Sequence, residues 1–228
     1  MKTNILFIGN SYTYYNEMPD ILEKLAKENG KDVRVFSVTC GGHKLWEYAH
    51  GDDEYTAKID ELIKNYRFDI CFLQEQSLLP ITDNDSFIRG VSALIEKLNP
   101  VTETFILYET WARKKGCPML EELGITYTEM TYNLSKAYCD ISERTDALVS
   151  HVGLNFYDVC SKNLAIELYN EDMSHPSYAG SCLAALTHYC TVFGCYPENT
   201  DFLSLTETEN EVFKNTVIKN MTERLIFE

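Results

Sequence analysis

Five apolar runs punctuate the chain: "NILFIG" (4–9), "VRVFSV" (33–38), "FDICFLQ" (68–74), "TFILYET" (104–110) and "LVSHVGLNFY" (148–157). Each has the length of one strand and is continuous enough to be buried on both faces, the pattern of a parallel sheet covered by helices. Between the runs the period changes. In "DEYTAKIDELIKNY" the residues Tyr55, Ile59, Leu62, Ile63 and Tyr66 share one face at helical spacing, and Phe87, Ile88, Val91, Leu94, Ile95 and Leu98 do so in the next segment. This alternation predicts an α/β fold with about five parallel strands and helices on both faces. After the fifth run the pattern predicts a helix over "VCSKNLAIELY", a loop "NEDMSHP", a helix from Pro176 to about Phe193, and a last helix ending in "NMTERLIFE". No repeat, low-complexity tract or Pro/Gly/Ser-rich linker breaks the sequence, so residues 1–228 read as a single domain.

A parallel sheet carries its site at the carboxyl ends of its strands. Here those ends lead into "GNSYT", "TCGGHKL", "QEQS", "ETWARKKG" and the stretch after "GLNFYDV". The first raises Ser11 directly after Gly9 and Asn10. A serine hydroxyl is a poor nucleophile at neutral pH and needs an oriented base. In "EDMSHPSYAG" Asp172 stands three residues before His175, on a turn closed by Pro176. A carboxylate so placed accepts from one ring nitrogen, which fixes both the tautomer and the direction of the other. Acyl transfer also needs donors for an oxyanion. Gly41-Gly42 offers a backbone N–H with no Cβ in the way, and Gln74 and Gln76 offer side-chain amides.

Composition narrows the partners. Hydrophobic residues make up 45% of the chain and charged residues 24%, ordinary values for a folded globular protein. The formal net charge of -15 works against binding to nucleic acid or to an anionic membrane surface, so a small molecule is the expected partner. No run approaches the roughly 18 consecutive apolar residues of a membrane helix. The opening "MKTNILFIGNSY" does not read as a secretory signal, and a cytoplasmic protein is expected. The eight cysteines show no C-x-x-C pair or metal spacing and read as reduced, mostly buried thiols.

The order of the blocks, Gly-Asn-Ser, then Gly, then an amide side chain, then Asp-x-x-His, resembles that of the SGNH (GDSL-type) hydrolases. "FIGNSYT" is similar to their nucleophile block, "CGGHKL" to their glycine block and "EDMSHP" to their Asp-x-x-His block, over nearly the full length. "ILFIGNSYTYYNEMP", "LQEQS", "TWARKKG" and "DMSHPSYAGS" resemble one esterase-like branch of that superfamily. The resemblance implies a three-layer, flavodoxin-like fold and a serine esterase acting through an acyl-enzyme. It further implies a Ser11–His175–Asp172 triad, with the Ser11 N–H, the Gly42 N–H and an amide as oxyanion donors. Two positions depart from the family pattern. Asn10 stands where Asp is usual, outside the triad. The third block is Gln-Glu-Gln-Ser instead of Gly-x-Asn-Asp, which leaves the donor as Gln76 by register or Gln74 by similarity to carbohydrate acetylesterases.

The expected substrate is a short acyl ester, most simply acetyl on a sugar or small alcohol, with no cofactor. The alternative is a non-catalytic domain of the same fold that binds a small molecule or carbohydrate. Tyr12 and Trp111, with Tyr14 and Tyr15, are candidate walls of the substrate pocket. His43, His50, Asp52 and Asp53 do not form a compact ligand set, and no metal is expected. Glu75 and Glu109 at strand ends raise a glycosidase-like carboxylate pair, a reading that leaves Ser11 and His175 without a role.

Overall fold

The computed structural model describes residues 2–162 and 165–222. Strands β1 (Thr3–Gly9), β2 (Val33–Thr39), β3 (Phe68–Leu73), β4 (Thr102–Tyr108) and β5 (Leu148–Ser150) form one all-parallel sheet in the order β2-β1-β3-β4-β5. The helices among the described residues are α1 (Ser11–Tyr14), α2 (Met18–Glu28), α3 (Leu45–His50), α4 (Glu54–Asn65), α5 (Leu79–Thr82), α6 (Asn84–Leu98), α7 (Pro118–Leu123), α8 (Tyr127–Thr145), α9 (Val152–Ser161), α10 (Tyr178–Phe193) and α11 (Glu207–Thr222). This is the flavodoxin-like strand order, whose switch point lies between β1 and β3.

The period of two along each strand divides the core between two faces. Ile5 and Phe7 of β1, Ile70 and Phe72 of β3, and Ile106 and Tyr108 of β4 point toward α2, α9, α10 and α11. Leu6, Ile8, Cys71, Leu73, Phe105 and Leu107 point toward α3, α4, α6 and α8. A fully buried Leu, Ile or Phe contributes about 1.5–3 kcal/mol, and truncating Phe72, stacked on Phe7 at 4.4 Å, would cost about 3–5 kcal/mol. The helix starts are capped from the sequence. Asp53 accepts from the N–H groups of Tyr55 and Thr56, Asp83 from Ser86, and Thr126 forms a capping box with Glu129.

Three expectations change at the C-terminal half. The run at 148–157 is only three residues of strand, because the chain turns into α9 at Val152. The reason is Glu109, just past β4: its carboxylate accepts the Leu154 N–H at 3.0 Å and its C=O accepts the Gly153 N–H at 3.2 Å, capturing the first turn of α9. The helix predicted over "VCSKNLAIELY" ends at Ser161, and Asn163 and Leu164 lie outside the described residues. Leu168 and Tyr169 are not helical. Tyr169 bridges Pro176, Ser177 N–H donates to Leu168 C=O at 2.9 Å, and Asn170 N–H donates to His175 C=O at 2.8 Å. The pairing pulls this stretch into one limb of a narrow loop with Asp172 and His175 at its tip. The next helix starts at Tyr178, with the Ser177 hydroxyl accepting the Gly180 N–H at 3.1 Å, instead of at Pro176. Of the predicted terminal helix, α11 is described to Thr222; the remainder of "NMTERLIFE" lies outside the described residues.

No helix of the described residues is long and apolar enough to cross a membrane. All eight cysteines are free thiols, four of them buried.

Candidate active site

Register places the carboxyl ends of the strands side by side, with Gly9 opposite Thr39 and Ile8 opposite Leu73. At Gly9 a side chain would have no room: a Cβ would sit 2.6 Å from Gln74 Oε1 and 2.4 Å from Thr13 Oγ1. The chain therefore turns tightly against Gln74. Asn10 caps α1, its Oδ1 accepting the Tyr12 N–H at 3.3 Å, and Ser11 becomes the first residue of that one-turn helix.

Ser11 Oγ lies 2.8 Å from His175 Nε2, and His175 Nδ1 lies 2.5 Å from Asp172 Oδ2. Asp172 Oδ1 also accepts the N–H groups of Ser174 (3.0 Å) and His175 (2.9 Å). Partial burial acts to raise the Asp172 pKa, but the bonds from the His175 ring and from the two N–H groups outweigh it and leave the pKa below its ordinary value. An ionised carboxylate only accepts, so Nδ1 carries the hydrogen and a neutral ring offers Nε2 to the serine O–H. Tyr15 stacks on the imidazole at 4.3 Å and Tyr12 meets it edge-on at 5.6 Å, which fixes the ring plane.

The glycine block forms a turn closed by the His43 N–H to the Cys40 C=O at 3.3 Å. Gly42 sits at φ +74°, in the left-handed region that favours glycine. This turn is tied to the nucleophile by Asn10 Nδ2, which donates to the His43 C=O at 3.1 Å. Among the described residues, neither the Ser11 nor the Gly42 N–H donates to a protein acceptor.

The two glutamines differ. Gln74 is buried, and its Oε1 accepts from the Asn10 N–H and the Thr13 hydroxyl, both at 2.8 Å. Its Nε2 donates to Asn10 Oδ1 at 3.0 Å and to the Glu75 C=O. Both amide hydrogens are thus spent on the nucleophile turn, so Gln74 is a brace for Asn10 and not a free donor. Gln76 turns its Oε1 to the N–H groups of Leu78 and Leu79, both at 3.0 Å, and its Nε2 donates to no protein group among the described residues.

Tyr12 and Trp111 are not walls of an open pocket. Both are buried, at 3% and 0% exposure, and stack on each other at 4.5 Å. Exposed aromatic surface beside the glycine turn is instead supplied by Tyr14, whose hydroxyl would meet a Cβ placed on Gly41. Glu75 and Glu109 are both fully buried. Burial pushes the Glu75 carboxyl up to about 8, although it accepts the N–H groups of Gln76 and Leu45. Glu109 holds His151 Nδ1 at 2.7 Å as well as α9. His43 Nε2 lies 2.9 Å from Asp53 Oδ2, and His50 packs on Trp46; no group of three potential ligands gathers among the described residues.

Sequence reasoning missed Arg113, Ser77 and Ser174. Arg113 Nη1 donates to the Tyr12 hydroxyl, its Nη2 donates to Ser77 Oγ at 2.9 Å, and the Tyr12 hydroxyl lies 2.8 Å from Ser174 Oγ. The one signal available was position, since "TWARKKG" follows β4.

No protein-family model matches the chain, and no curated protein matches it. Solved structures do. The chain is 32% identical to a protein from Slackia heliotrinireducens described as a candidate SGNH hydrolase, with a TM-score of 0.73 over 84% of this chain and 100% of the other. It is similar to a DUF4886 family protein from Bacteroides uniformis, at 13% identity and a TM-score of 0.81 over 97% of this chain and 95% of the other. A variant of an acetyl xylan esterase from Geobacillus stearothermophilus matches at 18% identity and a TM-score of 0.59, over 84% of this chain and 94% of its own.

Proposed function

The chain belongs to the SGNH hydrolases, and from that premise we propose that it is a serine carboxylic ester hydrolase acting on a short acyl group, most simply acetyl, carried by a carbohydrate or small alcohol. The observation that carries this reading is the unbroken Asp172–His175–Ser11 chain of hydrogen bonds at the carboxyl edge of the sheet.

In this reading Ser11 Oγ attacks the ester carbonyl carbon as its proton passes to His175 Nε2, while Asp172 holds the imidazolium that forms. The carbonyl oxygen becomes an oxyanion, stabilised by the Ser11 and Gly42 N–H groups and by Gln76 Nε2. As the tetrahedral intermediate collapses, the C–O bond to the alcohol breaks and His175 returns the proton to the leaving oxygen. Water then repeats the sequence on the acyl-Ser11 ester: His175 takes its proton, the acid leaves, and the serine hydroxyl is restored. The acetyl assignment is supported by the likeness to acetyl xylan esterases, and a carbohydrate by exposed Tyr14 beside the glycine turn, a ring on which a sugar face can stack.

Titration with a fluorophosphonate probe tests the reading directly. One label per chain, lost in Ser11→Ala, is expected, together with hydrolysis of nitrophenyl acetate and of acetylated sugars over long-chain esters. No label and no turnover would make the chain a binding module. Labelling with a preference for long acyl chains would remove the acetyl assignment alone.

A further inference from the structure

Arg113 has no part in the chemistry above, yet it is a buried cation, 8% exposed, a few residues beyond β4. Among the described residues no carboxylate lies within ion-pair distance of it. A guanidinium withdrawn from water needs replacement hydrogen bonds or an opposite charge. Here it has the Tyr12 hydroxyl and Ser77 Oγ, with its charge 5.6 Å from the Tyr12 ring centre.

Guanidinium only donates, so the Tyr12 oxygen accepts from Arg113, and the same hydroxyl is hydrogen-bonded to Ser174 Oγ, 2.8 Å away. A charged donor strengthens this chain of hydrogen bonds. Ser174 lies between Asp172 and His175, and its N–H is one of the donors to the Asp172 carboxylate. The same residue is gripped again from the β4 end, where Trp111 Nε1 donates to the Ser174 C=O at 3.0 Å. The neighbouring Lys114 N–H donates to the C=O of Met173, which is held at φ +60°. A loop whose Asp172 is exposed is thus fastened from beneath to the loops that follow β1, β3 and β4.

We propose that Arg113 and Tyr12 are positioning residues for the base. Arg113 clamps Tyr12, Tyr12 holds Ser174, and Ser174 keeps Asp172 and His175 in register with Ser11. The proposal rests on the Ser11–His175–Asp172 reading of the site. Its consequence is kinetic, because a displacement of about 1 Å in a general base can lower the rate about 10²-fold without weakening substrate binding.

The test uses the full chain and nitrophenyl acetate, with Tyr12→Phe, Ser174→Ala, their double variant, Arg113→Met and Arg113→Lys. Tyr12→Phe is expected to lower kcat about 10-fold with KM within about twofold. The double variant should be no worse than its poorer single, since both break one link. Arg113→Met should lower kcat further and Arg113→Lys should recover part of the loss. Tyr12→Phe removes a single oxygen, so it decides the matter even if Arg113→Met does not fold. Unchanged kcat in Tyr12→Phe and Ser174→Ala would overturn the proposal. So would an Arg113→Lys defect confined to KM for carboxylate-bearing esters, which would make Arg113 an anion-binding group. If Ser11→Ala still hydrolyses ester, the reading of the site itself fails; if Ser11→Ala is inactive while Tyr12→Phe is normal, only the positioning role falls.

Discussion

Among the described residues two serine–histidine pairs have nearly equal geometry. Ser11 Oγ lies 2.8 Å from His175 Nε2, and Ser150 Oγ lies 2.7 Å from His188 Nδ1. Their surroundings differ in every respect that matters to chemistry. The first pair has Asp172 behind its histidine and sits at the edge of the sheet. The second is fully buried, its imidazole enclosed by Phe7, Phe72 and Tyr108, with no carboxylate and with Nε2 unpartnered among the described residues. Burial lowers the His188 pKa from the ordinary 6.5 to about 3, so that ring stays neutral. A serine beside a histidine is therefore not a nucleophile by proximity alone. The carboxylate beside the base and the partial exposure of Ser11 and His175 set the first pair apart.

Breaking one pair should abolish turnover, and breaking the other should loosen the fold. Ser11→Ala and His175→Ala are each expected to lower ester hydrolysis by about 10³-fold or more, with the double variant little worse than either. Ser150→Ala should leave kcat within about threefold and lower the urea midpoint. Loss of activity without loss of stability in Ser150→Ala would erase the distinction between the pairs.

Asp172→Asn probes the group that only the first pair possesses. It keeps the shape but no longer favours the Nδ1–H tautomer, and kcat should drop by about 10²-fold to 10⁴-fold. The two glutamines give a smaller contrast. Gln76→Ala should reduce kcat by about 10²-fold with little change in KM, whereas Gln74→Ala, which releases the buried Asn10, should lower the melting temperature more and affect KM as well. A loss of kcat in Gln74→Ala with unchanged stability would return the donor role to Gln74.

The slightest effect is a pH dependence of stability. Because the folded pKa of His188 is depressed, the unfolded chain binds its proton first as pH falls. The associated stability is present above about 6.5 and is lost as pH drops toward about 3. Glu75 acts at the other limb: with its folded pKa raised from 4.5 to about 8, the stability it contributes is full below 4.5 and is lost as pH rises through about 8. Urea midpoints measured from pH 4 to pH 9 should show His188→Gln flattening the acid limb and Glu75→Gln the alkaline one. Unchanged slopes in both variants would remove these assignments.

Much of this was legible in the chain. The apolar runs marked the five strands of the described residues, and for the inner strands β1, β3 and β4 the reason is burial on both faces, whereas the edge strands β2 and β5 leave Arg34 and Leu148 exposed. Ser11 and the Asp172–His175 pair stood out because a turn after a strand and a three-residue spacing are local features, readable without knowing what lies opposite. Where the fifth run became helix, the deciding contact was Glu109, 45 residues away from the Leu154 N–H that it accepts. The short loop carrying His175 likewise depended on a pairing between Tyr169 and Pro176 that periodicity does not encode.

The sequence by itself determined the class of fold, the edge of the sheet to inspect and the reactive residue types there. Hydrophobic period and turn chemistry act over a few residues, and these features need nothing more. Tertiary structure alone decided that Ser150 meets His188 inside the core, which glutamine is spent as a brace, and that Tyr12 and Trp111 lie beneath the site instead of lining it. Those outcomes turn on hydrogen bonds and burial between residues far apart in the chain, such as Ser150 with His188, 38 residues apart, and Gln74 with Asn10, 64 apart. A side chain's chemistry is set by what desolvates and orients it, and the packed sheet brings those neighbours from distant parts of the chain.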